Sequence, residues 1–288
     1  MSRHDRQGCE YDAYLPDPLT GWELALPADL AADLSDAEAA IRRLNATGTS
    51  HVSLEGLARF LLRAESVASS KIEGLEAGPR RLLDAEVVLA QGGDAADRIA
   101  VEVLANVAAM EAAVELGSST DTITLDDLLG IHRTLMERSS MPHIGGVVRT
   151  MQNWIGGSSY NPCSAVFVPP PPDTVDALLH DLLDYVNGDD HPALVQAAIA
   201  HAQFETIHPF ADGNGRTGRA LIHVILRRRG LAPRFVPPIS LVLATWARDY
   251  VAGLTSFRHV GPPDEPKRSR GADAWLSTFA SAATRSCR

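Results

Sequence analysis

The 288-residue chain carries a formal net charge of -10 at pH 7, with 45% hydrophobic and 22% charged residues, so it can bury a real core in one large or two small domains. The acidic balance argues against direct nucleic-acid binding, which needs an electropositive face. Cys9, Cys163 and Cys287 are far apart with no CxxC pair, no apolar signal core opens the chain, and no run approaches a membrane span. These features lead us to expect unpaired thiols in a cytoplasmic protein with no membrane partner.

Residues 1–21 read as a polar, extended arm. Leu30, Leu34, Ala37, Ile41 and Leu44 recur at helical spacing and predict a helix over 29–43. A turn at 45–50 and a second helix from Leu54 towards Val67 follow, and Gly74 with Gly78-Pro79 breaks the pattern. Residues 80–92, 94–116 and 123–136 predict three more helices, the last capped by Thr124 or Asp126. The stretch 137–172 differs, because Gly pairs and Pro169 to Pro172 punctuate short β-prone pieces at Val147–Met151 and Ala165–Val168. A small hairpin or flap is the expectation there.

Asp173 or Thr174 is placed to cap an amphipathic helix over 175–186, which ends at Asn187-Gly188. Pro192 opens a helix to about Ile207, and another runs from about Gly215 to Arg229, closed by Gly230. Helices near 239–254 and 272–284, separated by a Pro- and charge-rich loop at 261–271, finish a mainly α chain with one small β element.

Between the helices ending at 207 and starting at 215 lies His208-Pro209-Phe210-Ala211-Asp212-Gly213-Asn214-Gly215-Arg216-Thr217-Gly218-Arg219. A loop entering a helix presents unpaired N–H groups and the positive end of the helix dipole, a ready anion site. Gly213 and Gly215 permit close backbone approach, and Asn214 is expected to add a side-chain donor. Arg216 and Arg219 share one helical face, and their guanidinium forks match phosphate oxygens. Asp212 suits Mg²⁺, which takes one or two carboxylates plus phosphates and waters. His208 titrates near neutrality and can accept a hydroxyl proton. The GxxxxGK[ST] phosphate loop is excluded by its missing lysine.

The stretch resembles the signature of the Fic (Fido) family, HxFx[DE]GNGRxxR, at every fixed position: His208, Phe210, Asp212, Gly213, Asn214, Gly215, Arg216 and Arg219. Arg149 to Gly157 and Phe167 to Pro172 resemble that family's flap. The resemblance implies a Fic-type helical bundle with a small β-hairpin flap. It divides the chain into an N-terminal helical region (15–115), a catalytic core (116–230) with flap (about 145–170) and signature loop (208–219), and C-terminal helices (231–288). It further implies a nucleotidyltransferase, a protein adenylyltransferase that moves AMP from ATP to a Ser, Thr or Tyr hydroxyl of a target protein, which can be the chain itself. His208 would then be the general base, Asp212 the Mg²⁺ ligand, and Gly213-Asn214-Gly215 the phosphate cradle. Arg216 and Arg219 would hold the β- and γ-phosphates, and Ile155 in the flap would contact the target. Relatives of this kind also lead us to expect a homodimer.

Ser69-Ser-Lys-Ile-Glu73-Gly74 alone reads as a helix end with a Gly stop. Beside the signature loop it resembles the family's inhibitory motif, SxxxEG, at Ser69, Glu73 and Gly74. A carboxylate paired with Arg219 would take the γ-phosphate's partner and repel the phosphate. A hydrolase that removes AMP through the same site, transfer of another nucleotide, and a nucleotide-binding regulatory module are the alternatives. His191, His201 and His208 lack an accompanying Cys or carboxylate set, so a transition-metal centre is disfavoured. His201 reads as a core histidine, and Trp22, Trp246 and Trp275 as packing residues. Arg227 to Arg229 suit a helix C-terminus. Trp154 serves either as a flap anchor or as a target contact.

Overall fold

The computed structural model describes residues 8–46, 51–263 and 265–288. Among these lie eleven α-helices: α1 (Ala28–Ala46), α2 (His51–Ile72), α3 (Pro79–Ala90), α4 (Arg98–Ser119), α5 (Leu125–Met136), α6 (Val175–Asn187), α7 (Ala193–Ile207), α8 (Asn214–Arg228), α9 (Ile239–Thr245), α10 (Ala247–Phe257) and α11 (Pro266–Ser286). The mainly α expectation holds. Most of the turn expected at 45–50 and the start of the arm lie outside the described residues.

The centre is α7, where every residue from Ala193 to Ile207 is buried. A helix buried on all sides can serve as an axis for its neighbours. α8 and α6 pack on it, α4 packs on the far side of α8, and α11 joins α1 to α7. One core cluster runs from Leu19 through α7 and α8 to Ala283, and a smaller one gathers Leu82, Ala85, Val101 and Val103 between α3 and α4. Trp275 in α11 is fully buried and donates its indole N–H to the Ala198 carbonyl at 2.8 Å, fastening the C-terminal helix to the axis. Thr124 caps α5 through a reciprocal box with Asp127. No helix among the described residues is long and apolar enough to cross a membrane.

Several expectations need correction. α2 continues past Val67 to Ile72, since nothing before Gly74 (φ 78°) stops it. The run 239–254 splits at Trp246, and α11 begins at Pro266, inside the stretch read as loop. Proline at the first helical position starts a helix as readily as it marks a turn. Thr174 does not cap α6; its hydroxyl donates to the Pro171 carbonyl within a 3₁₀ turn. Trp246 is partly exposed, with the Arg285 guanidinium over its ring. The flap forms no strands among the described residues, only one antiparallel bridge between Ile155 and Phe167. Pro162 and Pro169 to Pro172 have no N–H to give a ladder, so pairing cannot spread.

The largest correction concerns cysteine. Cys9 and Cys163 form a disulfide with Cα atoms 5.7 Å apart, leaving Cys287 as the free thiol. The 154-residue separation hid the pair, because tertiary packing alone brings the arm to the flap. Tyr14 extends the same contact: its N–H donates to the Val168 carbonyl at 2.9 Å and its ring meets Phe167. The cytoplasmic expectation thus loses the support it drew from unpaired thiols. Alkylation of the unfolded, unreduced protein is expected to modify Cys287 alone, and all three cysteines after reduction. Labelling of Cys9 and Cys163 without reductant would contradict the pairing.

Candidate functional site

The twelve-residue loop is held open by contacts from outside it. His208 ends α7 in the left-handed region (φ 50°), a conformation uncommon for a side chain other than glycine. Its carbonyl is fixed by Arg149 Nε at 2.8 Å and Asn153 Nδ2 at 3.2 Å. Arg149 is buried and also donates to the Pro170 and Ile207 carbonyls. Burial pulls its guanidinium down to about 10. Asn153 reaches the Phe210 carbonyl at 3.0 Å. The flap's first residues therefore set the backbone angle at which His208 is presented.

Phe210 is fully buried and stacks on the His132 ring, centroids 3.7 Å apart and planes 7° from parallel. The Gly146 N–H donates to His132 Nδ1 at 3.0 Å, so Nε2 carries the proton and donates to the Asp212 carbonyl at 3.0 Å. Burial holds this imidazole down to about 4, which keeps it neutral. The side chain of Asn214 is not a free donor, contrary to expectation. Its Oδ1 accepts from the Phe210 N–H and its Nδ2 donates to the Phe210 carbonyl, both at 2.8 Å. Gly213 (φ 77°) then turns the chain into α8. A glycine is needed here because the position is left-handed and any Cβ would press on His132, Leu135 and Met136.

The first two turns of α8 carry two buried arginines. Arg216 lies 3.9 Å from Glu102 and from Asp212, and its Nε and Nη1 have no hydrogen-bond partner among the described residues. A buried guanidinium with open donors is costly unless a ligand completes it. Arg219 is fully partnered: Nε donates to Ser69 Oγ and Nη2 to the Ser69 carbonyl, each at 2.9 Å, and Nη2 to Glu73 Oε1 at 2.7 Å. Nη1 reaches the Tyr250 hydroxyl at 3.4 Å, and that hydroxyl bonds His201 Nε2 at 2.8 Å. His201 is thus a core residue.

Glu73 follows directly on the last turn of α2, whose end is closed by bonds from the Glu73, Gly74 and Leu75 N–H groups to Ser70 and Lys71. Its carboxylate lies over Gly215, where a Cβ would collide with it. Desolvation alone would raise its pKa, but Arg219, with Arg216 and His208, holds it below the usual carboxylate value. The carboxylate thus occupies an anion position on the first turn of α8. Burial works against charge on Arg219 as well, and Glu73, together with Tyr250 and Glu205, more than offsets it, raising the guanidinium.

His208 is partly buried, and desolvation lowers its ring to about 4, so it is an unprotonated base at neutral pH. Glu205, one turn earlier in α7, is pushed up to about 7 by burial although Arg219 opposes this. Asp212 keeps half its side chain exposed at the loop edge, with Oδ1 accepting the Gly213 N–H at 2.7 Å. Among the described residues no cluster of three or more His, Cys, Asp or Glu could hold a metal by itself. A lone open carboxylate fits Mg²⁺, which completes its shell with ligand phosphates and waters, and does not fit a protein-only cage.

The structure therefore brings Ser69, Glu73, Gly213, Gly215, Arg216 and Arg219 together around α8, with His208 and Asp212 on its entry loop. Ile155 is set apart in the flap, partly buried at its one bridge, and Trp154 donates to the Ser158 carbonyl at 2.7 Å. Sequence reasoning did not single out His132, Asn153, Glu205 or Tyr250, and gave Arg149 no role of its own. Arg149 and Asn153 stand inside the flap stretch that carried the resemblance. Tyr250 lies 31 residues beyond Arg219 with no local signal.

Residues 122–226 match the model of the Fic/DOC family, and residues 31–115 match the model of its N-terminal region. The protein adenylyltransferase fic-1 of Caenorhabditis elegans is 33% identical over 146 residues, 50% of this chain and 27% of that protein. The protein adenylyltransferase Fic of Aedes aegypti is 37% identical over 122 residues, 41% of this chain and 22% of that protein. The chain thus spans about a quarter of the length of the curated relatives it matches. Among solved structures, a Fic family protein from Desulfovibrio desulfuricans G20 superposes with a TM-score of 0.69 at 24% identity, covering 93% of this chain and 76% of that one. A Fic domain-containing signalling protein from Bacteroides thetaiotaomicron gives 0.67 at 18% identity, covering 88% and 94%. These two likenesses concern the fold.

With Asn214 spent on Phe210, Asn214→Ala leaves the buried Phe210 N–H without its partner and the Phe210 carbonyl with Asn153 alone, and is expected to lower unfolding stability by about 1–3 kcal/mol. Denaturant titration reads this. A variant as stable as its parent would return Asn214 to the role of a free donor.

Proposed function

Because this chain belongs to the Fic/DOC family, we propose that it is a protein adenylyltransferase that transfers AMP from ATP to a hydroxyl of a protein target and is held off by its own Glu73. The observation that carries this reading is the position of the Glu73 carboxylate, on the first turn of α8 and 2.7 Å from Arg219. An anion site filled by a tethered anion is a site built for a mobile one.

In the active arrangement the polyphosphate lies along Gly213 to Gly215, where the N–H groups at the start of α8 and the helix dipole oppose its charge. Arg216 supplies its open donors, and Arg219 exchanges Glu73 for the terminal phosphate. Asp212 would hold Mg²⁺, which when bound neutralises phosphate charge. His208 removes the proton from the target Ser, Thr or Tyr hydroxyl. The oxygen attacks the α-phosphorus, the bond to the bridging oxygen of the β-phosphate breaks, and pyrophosphate leaves. Catalysis is then positioning plus electrostatics. Arg149 and Asn153 hold the His208 backbone, and the flap around Ile155 borders the place where a target segment pairs by main-chain bonds.

Incubation of Glu73→Gly with α-labelled ATP and Mg²⁺ in a cell extract is expected to raise protein labelling on the order of 10- to 100-fold, the equivalent of one charge-assisted bond. His208→Ala in that background is expected to lower it by about 10²–10⁴-fold. Equal labelling by parent and Glu73→Gly would remove the inhibitory role. Labelling that survives His208→Ala would remove the general base.

The pH dependence follows from two lowered groups. His208 loses charge already near pH 4, so it stays a base as pH falls from 8 to 5, and removing Glu73 takes away a neighbour that raises it. The acid limb of the Glu73→Gly profile is therefore expected below pH 5; a limb centred near 6.5 would contradict the burial of His208. The Glu73 carboxylate is lowered too, so the block is present above its usual value and is lost only as pH falls through the lowered one. The parent is expected to stay inhibited from pH 6 to 9.

A further inference from the structure

The face that α2 turns to α8 is polar. Glu65 and Ser69 are fully buried there, with Ser66 and Ser70 equally buried beside them towards α4, where an ordinary helix contact would be apolar. Glu65, Ser69 and Glu73 repeat every four residues and meet His223, Arg219 and Gly215, which repeat every four in the opposite direction. The two helices thus form an antiparallel ladder of three polar rungs. Two of these rungs hold Arg219. The third, at Glu65, is eight residues from the inhibitory carboxylate and touches no part of the loop.

Glu65 accepts three hydrogen bonds. His223 Nε2 donates to Oε1 at 2.9 Å, the Ser240 hydroxyl to Oε1 at 2.5 Å, and the Ser240 N–H to Oε2 at 2.7 Å. One carboxylate therefore joins α2 to both α8 and α9. On the neighbouring face, Asn106 of α4 donates to the Ser66 carbonyl at 2.8 Å and to Ser70 Oγ at 3.1 Å. The Glu-Ser-Glu ladder is nearly its own repeat: a slip of one turn would bring another acidic or hydroxyl residue to Arg219. Within the ladder, the rung whose partners are a histidine and a serine N–H is the one that distinguishes the right register from a slipped one, and the Asn106 contacts support it from α4. Buried polar contacts of this sort fix register where apolar contacts tolerate sliding.

We propose that Glu65, through His223 and Ser240, is the positioning residue that sets the register of the inhibitory helix and so holds Glu73 on Arg219. The proposal rests on the autoinhibited reading above and adds a residue to it. Loss of the anchor leaves the loop intact and lets the end of α2 move off α8. ATP then gains access without any change to Glu73 itself.

The test is Glu65→Gln, alone and combined with Glu73→Gly, with AMP transfer measured across ATP concentrations. Alone, it is expected to raise transfer about tenfold at low ATP, as one buried charged bond is lost, mainly by lowering KM for ATP. In the Glu73→Gly background it is expected to change nothing. Where Glu73→Gly raises transfer, transfer unaltered by Glu65→Gln in a folded protein, or lowered alike in both backgrounds, would overturn the proposal. Ser240→Ala, which removes one bond and leaves His223 in place, serves if Glu65→Gln does not fold, with the same direction expected. Hydrogen exchange separates this proposal from its premise. Faster exchange over 66–75 in Glu65→Gln supports the anchor even if Glu73→Gly proves no more active than its parent. Unchanged exchange there overturns the anchor whatever the activity.

Discussion

Arg219 is a cation buried in the middle of the protein, and the surrounding structure is arranged to keep it charged. An isolated guanidinium in that position would cost several kcal/mol. It is offset by Ser69, Tyr250 and above all by Glu73, the one partner that is itself an anion and the one partly open to solvent. Ser69 and Tyr250 are fixed by packed helices. Glu73 sits just past a helix end on a glycine stop, so it is the partner that can leave. A buried cation with one removable anionic partner is the physical basis for a site with a filled and a vacated state.

The second constraint is the backbone. The proposed anion site consists largely of backbone N–H groups, so the shape of the loop matters, and most of the contacts that enforce it come from outside the loop. His132 props Phe210 and the Asp212 carbonyl, Asn214 closes on Phe210, and Arg149 with Asn153 pins His208 in a left-handed conformation. The cost of that conformation is spread over three donors on its carbonyl and its neighbour's. Flap and loop are thereby one mechanical unit, and the disulfide from Cys9 to Cys163 with the Tyr14 contact ties the N-terminal arm to it.

Much of this was legible in the chain. Helices with an apolar stripe, such as α1 and α6, were found by periodicity, and the loop residues by their chemistry in one short stretch. The relation of Glu73 to Arg219 was foreseen through the motif resemblance, and the two carboxylate–guanidinium atoms meet at 2.7 Å. What escaped had no local signature. The Cys9–Cys163 pair, Tyr250 and His132 are contributions from distant segments. Asn214 was misread because a buried amide that closes a turn and a free donor look alike in sequence. The flap looked like two strands because its valines favour β structure, while its prolines prevent a ladder. Glu65 gave no warning, since a charged residue on a helix is ordinarily solvated, and only its burial against His223 and Ser240 sets it apart.

The central claim is that Glu73 and a terminal phosphate contend for one guanidinium. Calorimetric titration of ATP and of ADP into the parent and Glu73→Gly tests it without any protein target. The account predicts that the substitution strengthens ATP binding far more than ADP binding, because only ATP carries the phosphate that Arg219 would take. Equal gains for both nucleotides, or none, would contradict it.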